Sequence, residues 1–126
     1  MIKPLLATLA SLVAALGTAT AAGKAYTFGL VAKSQGNAVF QVARVGADDA
    51  ARELSKKYGL NIKVDWRTPN EEDPQKQAEA IEQLVLAGAD GISVSCSDAN
   101  KVTDAINKAV QNGVPDRKST RLNSSH

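Results

Sequence analysis

Residues 22–115 alternate three times between a short apolar run and a longer segment of helical periodicity, which constrains the fold more than any other feature. The runs at 26–32, 61–66 and 91–95 have the composition of strands, and apolar residues recur three or four apart in the segments between and after them. Strands that alternate with helices pair in parallel through right-handed connections, with helices on both faces. We therefore predict an α/β fold, a partial doubly wound parallel sheet.

Residues that favour helix ends bound each helical segment. Asn, Asp and Ser side chains accept hydrogen bonds from the free amides of a first turn, and glycine adopts the left-handed conformation that ends a helix. The sequence supplies such a pair for each helix: Asn37 and Gly59, Asp73 and Gly88, and Ser97 or Asp98 with Gly113.

The apolar residues also predict which surfaces are buried. The first strand is apolar throughout, as in a central strand covered on both faces, whereas the second alternates, as in a strand nearer an edge. The inward positions expected in the three helices are Phe40, Ala43, Ala47, Ala50, Leu54 and Tyr58; Ala78, Ile81, Leu84, Val85 and Gly88; and Val102, Ala105, Ile106, Ala109 and Val110.

Residues 1–21 have the layout of a cleavable secretory signal peptide. Lys3 supplies the positive charge, residues 5–16 form an apolar run, and Ala19-Thr20-Ala21 places small residues where signal peptidase cleaves. The apolar run is shorter than the roughly 20 residues that span a bilayer comfortably. We expect a periplasmic mature protein, secreted through this signal and not inserted in the membrane.

Residues 116–126 are expected to be foreign to the protein. Their sequence, from Asp116 to His126, corresponds to one translated frame of a common sequencing adapter. Such segments are excluded from fold reasoning. The native sequence is then expected to end at Pro115, where Val114-Pro115 would open a fourth strand.

Composition argues against several functions once both ends are set aside. Eleven basic and twelve acidic residues remain, so a net charge of +2 becomes −1 and no basic surface for nucleic acid is indicated. The single histidine, His126, falls in the tail, and Cys96 is the only cysteine, which leaves a disulfide or a His/Cys metal site unsupported. Glycine-rich nucleotide loops and the Gly-x-Ser-x-Gly nucleophile motif do not occur. We expect no cofactor, no metal and no catalytic residue.

Three loops follow the predicted strands at the edge of the sheet where doubly wound proteins bind ligands. They comprise residues 33–40, 67–73 and 95–98. In the second loop, Glu71-Glu72-Asp73 could hold a cation, although acids that precede a helix also suit its dipole. In the third, Cys96 could be activated by a helix start, but without a histidine partner a buried, inert thiol explains it better.

The first loop carries the candidate ligand-binding residues. Lys33 offers an ammonium, Ser34 a hydroxyl, and Gln35 and Asn37 two amides, while Phe40 adds an aromatic ring on the first helical turn. The candidate contacts among them are Lys33, Ser34, Asn37 and Phe40. Fixed polar groups beside a stacking surface suit a sugar, which presents hydroxyls and apolar C–H faces. A structural explanation is also open, in which Asn37 caps the helix and Phe40 fills the core.

The segment from Tyr26 to Pro115 resembles the N-terminal lobe of type I periplasmic sugar-binding proteins, the ribose-binding-like group. The order and spacing of five stretches carry the resemblance: the first-strand loop ending in Phe40, Gly46-Ala47-Asp48, and residues 77–82, 86–92 and 107–115. Residues 22–115 are therefore expected to be a truncated N-terminal lobe.

The resemblance implies a receptor that closes two lobes around a small sugar and delivers it to the membrane permease of an ABC importer, without enzymatic activity. Asn37 and Phe40 then occupy positions that contact the sugar. Ribose-type members carry an aromatic pair where this chain has Val39-Phe40, and Lys33 resembles the lysine of rhamnose- and autoinducer-2-type members. The ribose-type aspartate after the fourth strand would lie beyond Pro115.

Three other functions stay open. A lac-repressor-like regulator shares this lobe, but it requires a helix-turn-helix where this chain has a secretion signal. A periplasmic signalling receptor would have the same sequence features, and a truncated secreted α/β enzyme would carry its catalytic residues elsewhere. In each case we expect the isolated segment to leave a long apolar strand edge unpaired, to be unstable or aggregated, and to bind no sugar.

Overall fold

The computed structural model describes residues 23–115, which form three consecutive strand–helix units. The predicted signal peptide (1–21) and foreign tail (116–126) lie outside the described residues. The elements are β1 (Ala25–Val31), α1 (Ala38–Tyr58), β2 (Asn61–Trp66), α2 (Pro74–Leu86), β3 (Gly91–Val94) and α3 (Ala99–Gln111). The predicted alternation of strands and helices is confirmed.

The three strands form one parallel sheet in the order β2-β1-β3. β1 is central, with Leu30 paired to Trp66 of β2 and Val31 paired to Val94 of β3. The prediction that the second strand lies at an edge is therefore confirmed. In residues 23–115 the outer edge of β3 pairs with no further strand.

The helices begin where the sequence predicts. The Asn37 Oδ1 accepts a hydrogen bond from the Val39 amide at 2.9 Å, and Asp73 and Asp98 cap α2 and α3 through their own side chains. Gly59 ends α1 in the left-handed conformation, with φ of 65°. These contacts satisfy amides that a first turn leaves without helical partners.

The hydrophobic core lies between the sheet and the α2–α3 pair. Gly29 faces Leu84 of α2, and the absence of a side chain at Gly29 lets that helix approach the sheet. Burial of a side chain the size of leucine stabilises a fold by about 2 kcal/mol. The buried cluster comprises Val31, Ala78, Ala80, Ile81, Leu84, Ala89, Val102, Ala105 and Ala109, with Val85 and Ile106 partly buried against it.

α1 covers the opposite face of the sheet. Arg44 of α1 lies 5.6 Å from the ring centroid of Trp66. Trp66 is paired with Leu30 and so points away from the Val31 face. Helices therefore lie on both faces of the sheet, as the fold class requires.

The predicted inward face of α1 is wrong. Ala43, Ala50, Leu54 and Tyr58 are exposed, and Ala51 is the buried residue of this helix. The helix packs mainly on the edge strand β2, so its contact surface is narrow. Alanines and valines occur all around α1, and their spacing therefore could not decide which face turns inward.

Three further burial predictions need correction. Phe28 is 40% exposed, so β1 is not covered on both faces, because α1 lies over β2 and leaves this part of β1 open. Val110 is 41% exposed, since it faces the open edge of β3 rather than α2. Gly88 is also exposed, because α2 ends at Leu86 and Gly88 forms the following turn, with φ of 77°.

Candidate ligand-binding site

The strand order reverses between β1 and β3, which predicts a crevice between the carboxyl ends of these two strands. The connection from β1 leads to β2 on one side, whereas β3 lies on the other side of β1. At such a reversal the two following loops separate, and open α/β sheets bind ligands there. The loops after β1 and β3, which sequence reasoning selected, border this crevice.

Lys33 lies in the loop after β1 and faces the loop before α2. Its Nζ is 4.0 Å from Oε1 of Glu72, and both side chains are substantially exposed. An exposed ion pair of this kind contributes little to stability. Because its side chain is 40% exposed, Lys33 remains accessible to a ligand.

The other three predicted residues lie on the same loop and on the first turn of α1. Ser34 and Phe40 are half-buried, and Asn37 is exposed. The Oδ1 of Asn37 serves as the helix cap, as the structural explanation proposed. Its amide nitrogen is the part of the side chain that capping does not use.

Gln35 ties this loop to the loop after β2. Its backbone amide donates to the Pro69 carbonyl at 2.8 Å, and its Nε2 donates to the Thr68 carbonyl at 2.7 Å. The Gln41 side chain donates to the Gln35 carbonyl at 2.6 Å. The loop after β1 is therefore held in place through both the backbone and the side chain of Gln35.

Two buried polar side chains hold the end of β1 from opposite sides. Thr68 accepts a hydrogen bond from the Ala32 amide at 2.8 Å. Gln77 of α2, which is 0% exposed, donates from Nε2 to the carbonyls of Ala32 at 2.7 Å and Ser95 at 2.9 Å. Its Oε1 accepts from the Ser97 amide at 2.8 Å.

Sequence reasoning included the Gln35 amide among the polar groups of the first loop, but it assigned no role to Thr68 or Gln77. A signal existed for Gln77, because it precedes Ile81 by four residues and Leu84 by seven, and so falls on the buried stripe of α2. A glutamine at such a position must find hydrogen-bond partners in the core. Thr68 carries no comparable signal, since it lies in a loop.

The loop after β3 contributes polar atoms from its backbone and side chains. The hydroxyl of Ser97 is buried and has no hydrogen-bond partner among the described residues. Cys96 is a half-buried free thiol that lines an apolar groove of about 420 Å³ along the open edge of β3, together with Ile92, Val94 and Val110. The groove is therefore lined mainly by apolar side chains, in contrast to the polar loop after β1.

Other site chemistries have no support in residues 23–115. The described part of the chain contains no group of three or more His, Cys, Asp or Glu side chains that could hold a metal ion. None of its helices combines the length and apolar character needed to cross a membrane. A hydrogen bond with Tyr26 raises the pKa of Lys24, and one with Glu82 raises that of Lys108, but neither lysine lies on the crevice loops.

A parallel α/β sheet with helices on both faces and polar loops at the strand reversal belongs to the doubly wound class, whose members bind ligands at that point. The sequence profile of the family described as periplasmic binding protein domain matches residues 28–115. The chain belongs to this family, which confirms the resemblance seen in the sequence.

Solved structures of the same fold include proteins that are between 26% and 32% identical to this chain. LsrB from Clostridium saccharobutylicum, in complex with AI-2, is 32% identical with a TM-score of 0.59 over 70% of this chain. A sugar ABC transporter (sugar-binding protein) from Bacillus halodurans is 31% identical with a TM-score of 0.61 over 71% of this chain. The arabinose-binding protein AraP from Geobacillus stearothermophilus is 26% identical with a TM-score of 0.60, also over 71%.

This chain spans only part of those proteins. The aligned region covers 25% of LsrB, 29% of the Bacillus halodurans protein and 29% of AraP. Its similarity therefore concerns one segment of each of these proteins.

Proposed function

We propose that residues 22–115 are part of the N-terminal lobe of the substrate-binding component of an ABC importer, which captures a small sugar between two lobes. The observation that carries this proposal is the polar loop 33–37 at the strand reversal, in a chain of the periplasmic binding protein domain family. The names of similar proteins support the ligand class, since they include an arabinose-binding protein and a sugar-binding protein.

The cellular setting follows from the same proposal. Residues 1–21 direct secretion, the mature protein acts in the periplasm, and its partner is the membrane permease of the importer. Residues 116–126 are foreign to the protein. The protein binds and releases its ligand without catalysing a reaction.

Lys33, Ser34, Asn37 and Phe40 are the proposed ligand contacts. The ammonium of Lys33 and the amide nitrogen of Asn37 donate hydrogen bonds to sugar oxygens, and the Ser34 hydroxyl can donate or accept. The ring of Phe40 packs on a C–H face of the sugar. Only the amide nitrogen of Asn37 is assigned to the ligand, because its oxygen caps α1.

The proposal is tested on the complete gene product that contains residues 22–115. Thermal shift and calorimetry with arabinose, allose, tagatose, myo-inositol and AI-2 identify the ligand that binds. In Lys33→Ala and Phe40→Ala, affinity for that ligand should fall by about tenfold, the equivalent of one lost hydrogen bond or stacking contact. Val42→Ala is the matched control, because Val42 lies on α1 like Phe40 and is 72% exposed. Unchanged affinity in both variants removes these residues from the site.

Asn37→Asp separates capping from ligand binding. The aspartate still accepts a hydrogen bond from the Val39 amide, so the melting temperature should be retained, whereas the lost nitrogen donor should weaken sugar binding. Asn37→Ala should lose both properties. Equal sugar affinity in wild type and Asn37→Asp would limit Asn37 to its structural role.

A further inference from the structure

We propose that Gln77 is a positioning residue for the ligand site: its buried amide sets the spacing between the loop after β1 and the loop after β3. This inference rests on the proposed function, since it assigns a role to a residue that supports the same crevice. Gln77 is 0% exposed and cannot itself touch a ligand.

The amide of Gln77 lies where the two strands part. The Ser95 amide donates to the Val31 carbonyl at 2.9 Å, which continues the β1–β3 ladder just beyond β3. One residue beyond the end of β1, the carbonyl of Ala32 accepts a hydrogen bond from Gln77 Nε2 instead. The same nitrogen also donates to the Ser95 carbonyl. The side chain of α2 thus replaces the backbone ladder at the base of the crevice.

The hydrogen-bonding capacity of this amide is well used. Each proton of the NH₂ group has a carbonyl partner, and the oxygen accepts from the Ser97 amide. A buried amide without hydrogen-bond partners is destabilising. The Gln77 side chain therefore keeps its position only while the backbone groups of both loops stay within hydrogen-bonding distance. The three bonds therefore define the geometry of both loops at once.

The effect reaches the proposed contact residues through Ala32. The Ala32 amide is held by Thr68 and its carbonyl by Gln77, so the backbone just before Lys33 is oriented from both sides. On the other side of the crevice, Gln77 holds the carbonyl of Ser95 and the amide of Ser97. Loss of the amide should let the two loops move apart while the apolar core stays packed.

The test compares Gln77→Met with Gln75→Met, in the complete gene product that contains residues 22–115. Methionine keeps the length of the side chain and removes its polar atoms, and Gln75 is exposed on the same helix. In Gln77→Met the Ser97 amide should exchange with solvent about tenfold faster or more, because its acceptor is gone. The Ala89 amide, which bonds the Leu84 carbonyl at 3.0 Å, should keep its protection. Affinity for the sugar that binds wild type should fall about tenfold or more, and Gln75→Met should match wild type.

Two results would overturn the positioning role. One is faster Ser97 exchange with unchanged sugar affinity; the other is an equal loss of protection at Ser97 and Ala89, which would make Gln77 a general stabilising residue. If wild type binds none of the five ligands, the proposed function fails in its own right.

In that case, and also if Gln77→Met does not fold, the hydrogen bonds of the Gln77 amide are tested in the wild-type protein. The side-chain NH₂ protons of Gln77 should exchange far more slowly than those of Gln75. Similar exchange rates for the two groups would show that the Gln77 amide does not hold the two loops.

Discussion

The two faces of the sheet differ sharply in how well they are packed. On the α2–α3 face, Leu84 and Val102 are 0% exposed and Ile81 is 1% exposed. On the α1 face, Ala51 is the buried residue of the helix, while Val39 and Val42 are 70% and 72% exposed. Stability is therefore concentrated on one face, and the proposed ligand loop leads into the helix on the other.

This difference separates two tasks within a small fold. Residues of the α2–α3 face are closely packed, so changes there should alter the free energy of unfolding. The loop before α1 lies over a thinner layer and can change its polar groups at little cost in stability. Gln77 connects the two, because it belongs to the packed face and holds the loops of the crevice.

The following variants are made in the complete gene product that contains residues 22–115, and the largest expected effect comes from a cavity on the packed face. Leu84→Ala should lower the free energy of unfolding by about 3 kcal/mol, because the removed atoms leave an unfilled space. Val42→Ala on α1 should change it by less than about 0.5 kcal/mol, since that side chain is 72% exposed. Urea denaturation measures both. Similar losses in the two variants would show that the faces contribute equally.

Two glycine substitutions, one facing α2 and one on α1, should change the free energy of unfolding by an intermediate amount. In Gly29→Ala the new methyl group would collide with the side chain of Leu84, so the free energy of unfolding should fall by about 1–3 kcal/mol. In Gly46→Ala the methyl meets no atom within 4 Å, and the helix should gain about 1 kcal/mol. Thermal melts should show a lower melting temperature for Gly29→Ala and a higher one for Gly46→Ala. A stable Gly29→Ala variant would mean that α2 can shift away from the sheet.

The smallest effect is expected from an ion pair between the two helices of the packed face. Lys108 Nζ lies 2.8 Å from Glu82 Oε1, and this contact raises the pKa of Lys108 above its ordinary value of 10.5. A raised lysine pKa stabilises the fold below the unfolded-state value, and that contribution disappears as pH rises through the folded-state value.

Lys108→Met should therefore have a slightly lower melting temperature than wild type at pH 7, and the difference should vanish well above pH 10.5. Lys101→Met is the control, because Lys101 lies on the same helix and makes no ion pair with residues 23–115. A difference that persists at the highest pH would assign the effect to packing of the lysine stem.

Local chemistry was sufficient to predict the elements of this protein. Alternating apolar runs and helical periodicity predicted three strand–helix units. Asn37 and Asp73 were recognised as helix caps, and Asp98 was one of two candidates for the third cap. Each of these features depends on residues within a few positions of one another. The order of five short stretches then carried the family resemblance that the profile match confirmed.

Only the tertiary structure decided which surfaces meet. The inward face of α1 depends on its contact with β2, which its many small apolar residues do not specify. The bonds of Thr68 and Gln77 to Ala32 join residues 36 and 45 positions apart, and the Lys33–Glu72 pair likewise joins separate loops. Such contacts depend on how the helices dock on the sheet, and periodicity describes each helix only along its own axis. The sequence alone therefore determined the order of the elements and the polar residues of the loop after β1. The strand order that reverses at this loop, and the docking of α2 that places the Gln77 amide, were decided by the tertiary structure.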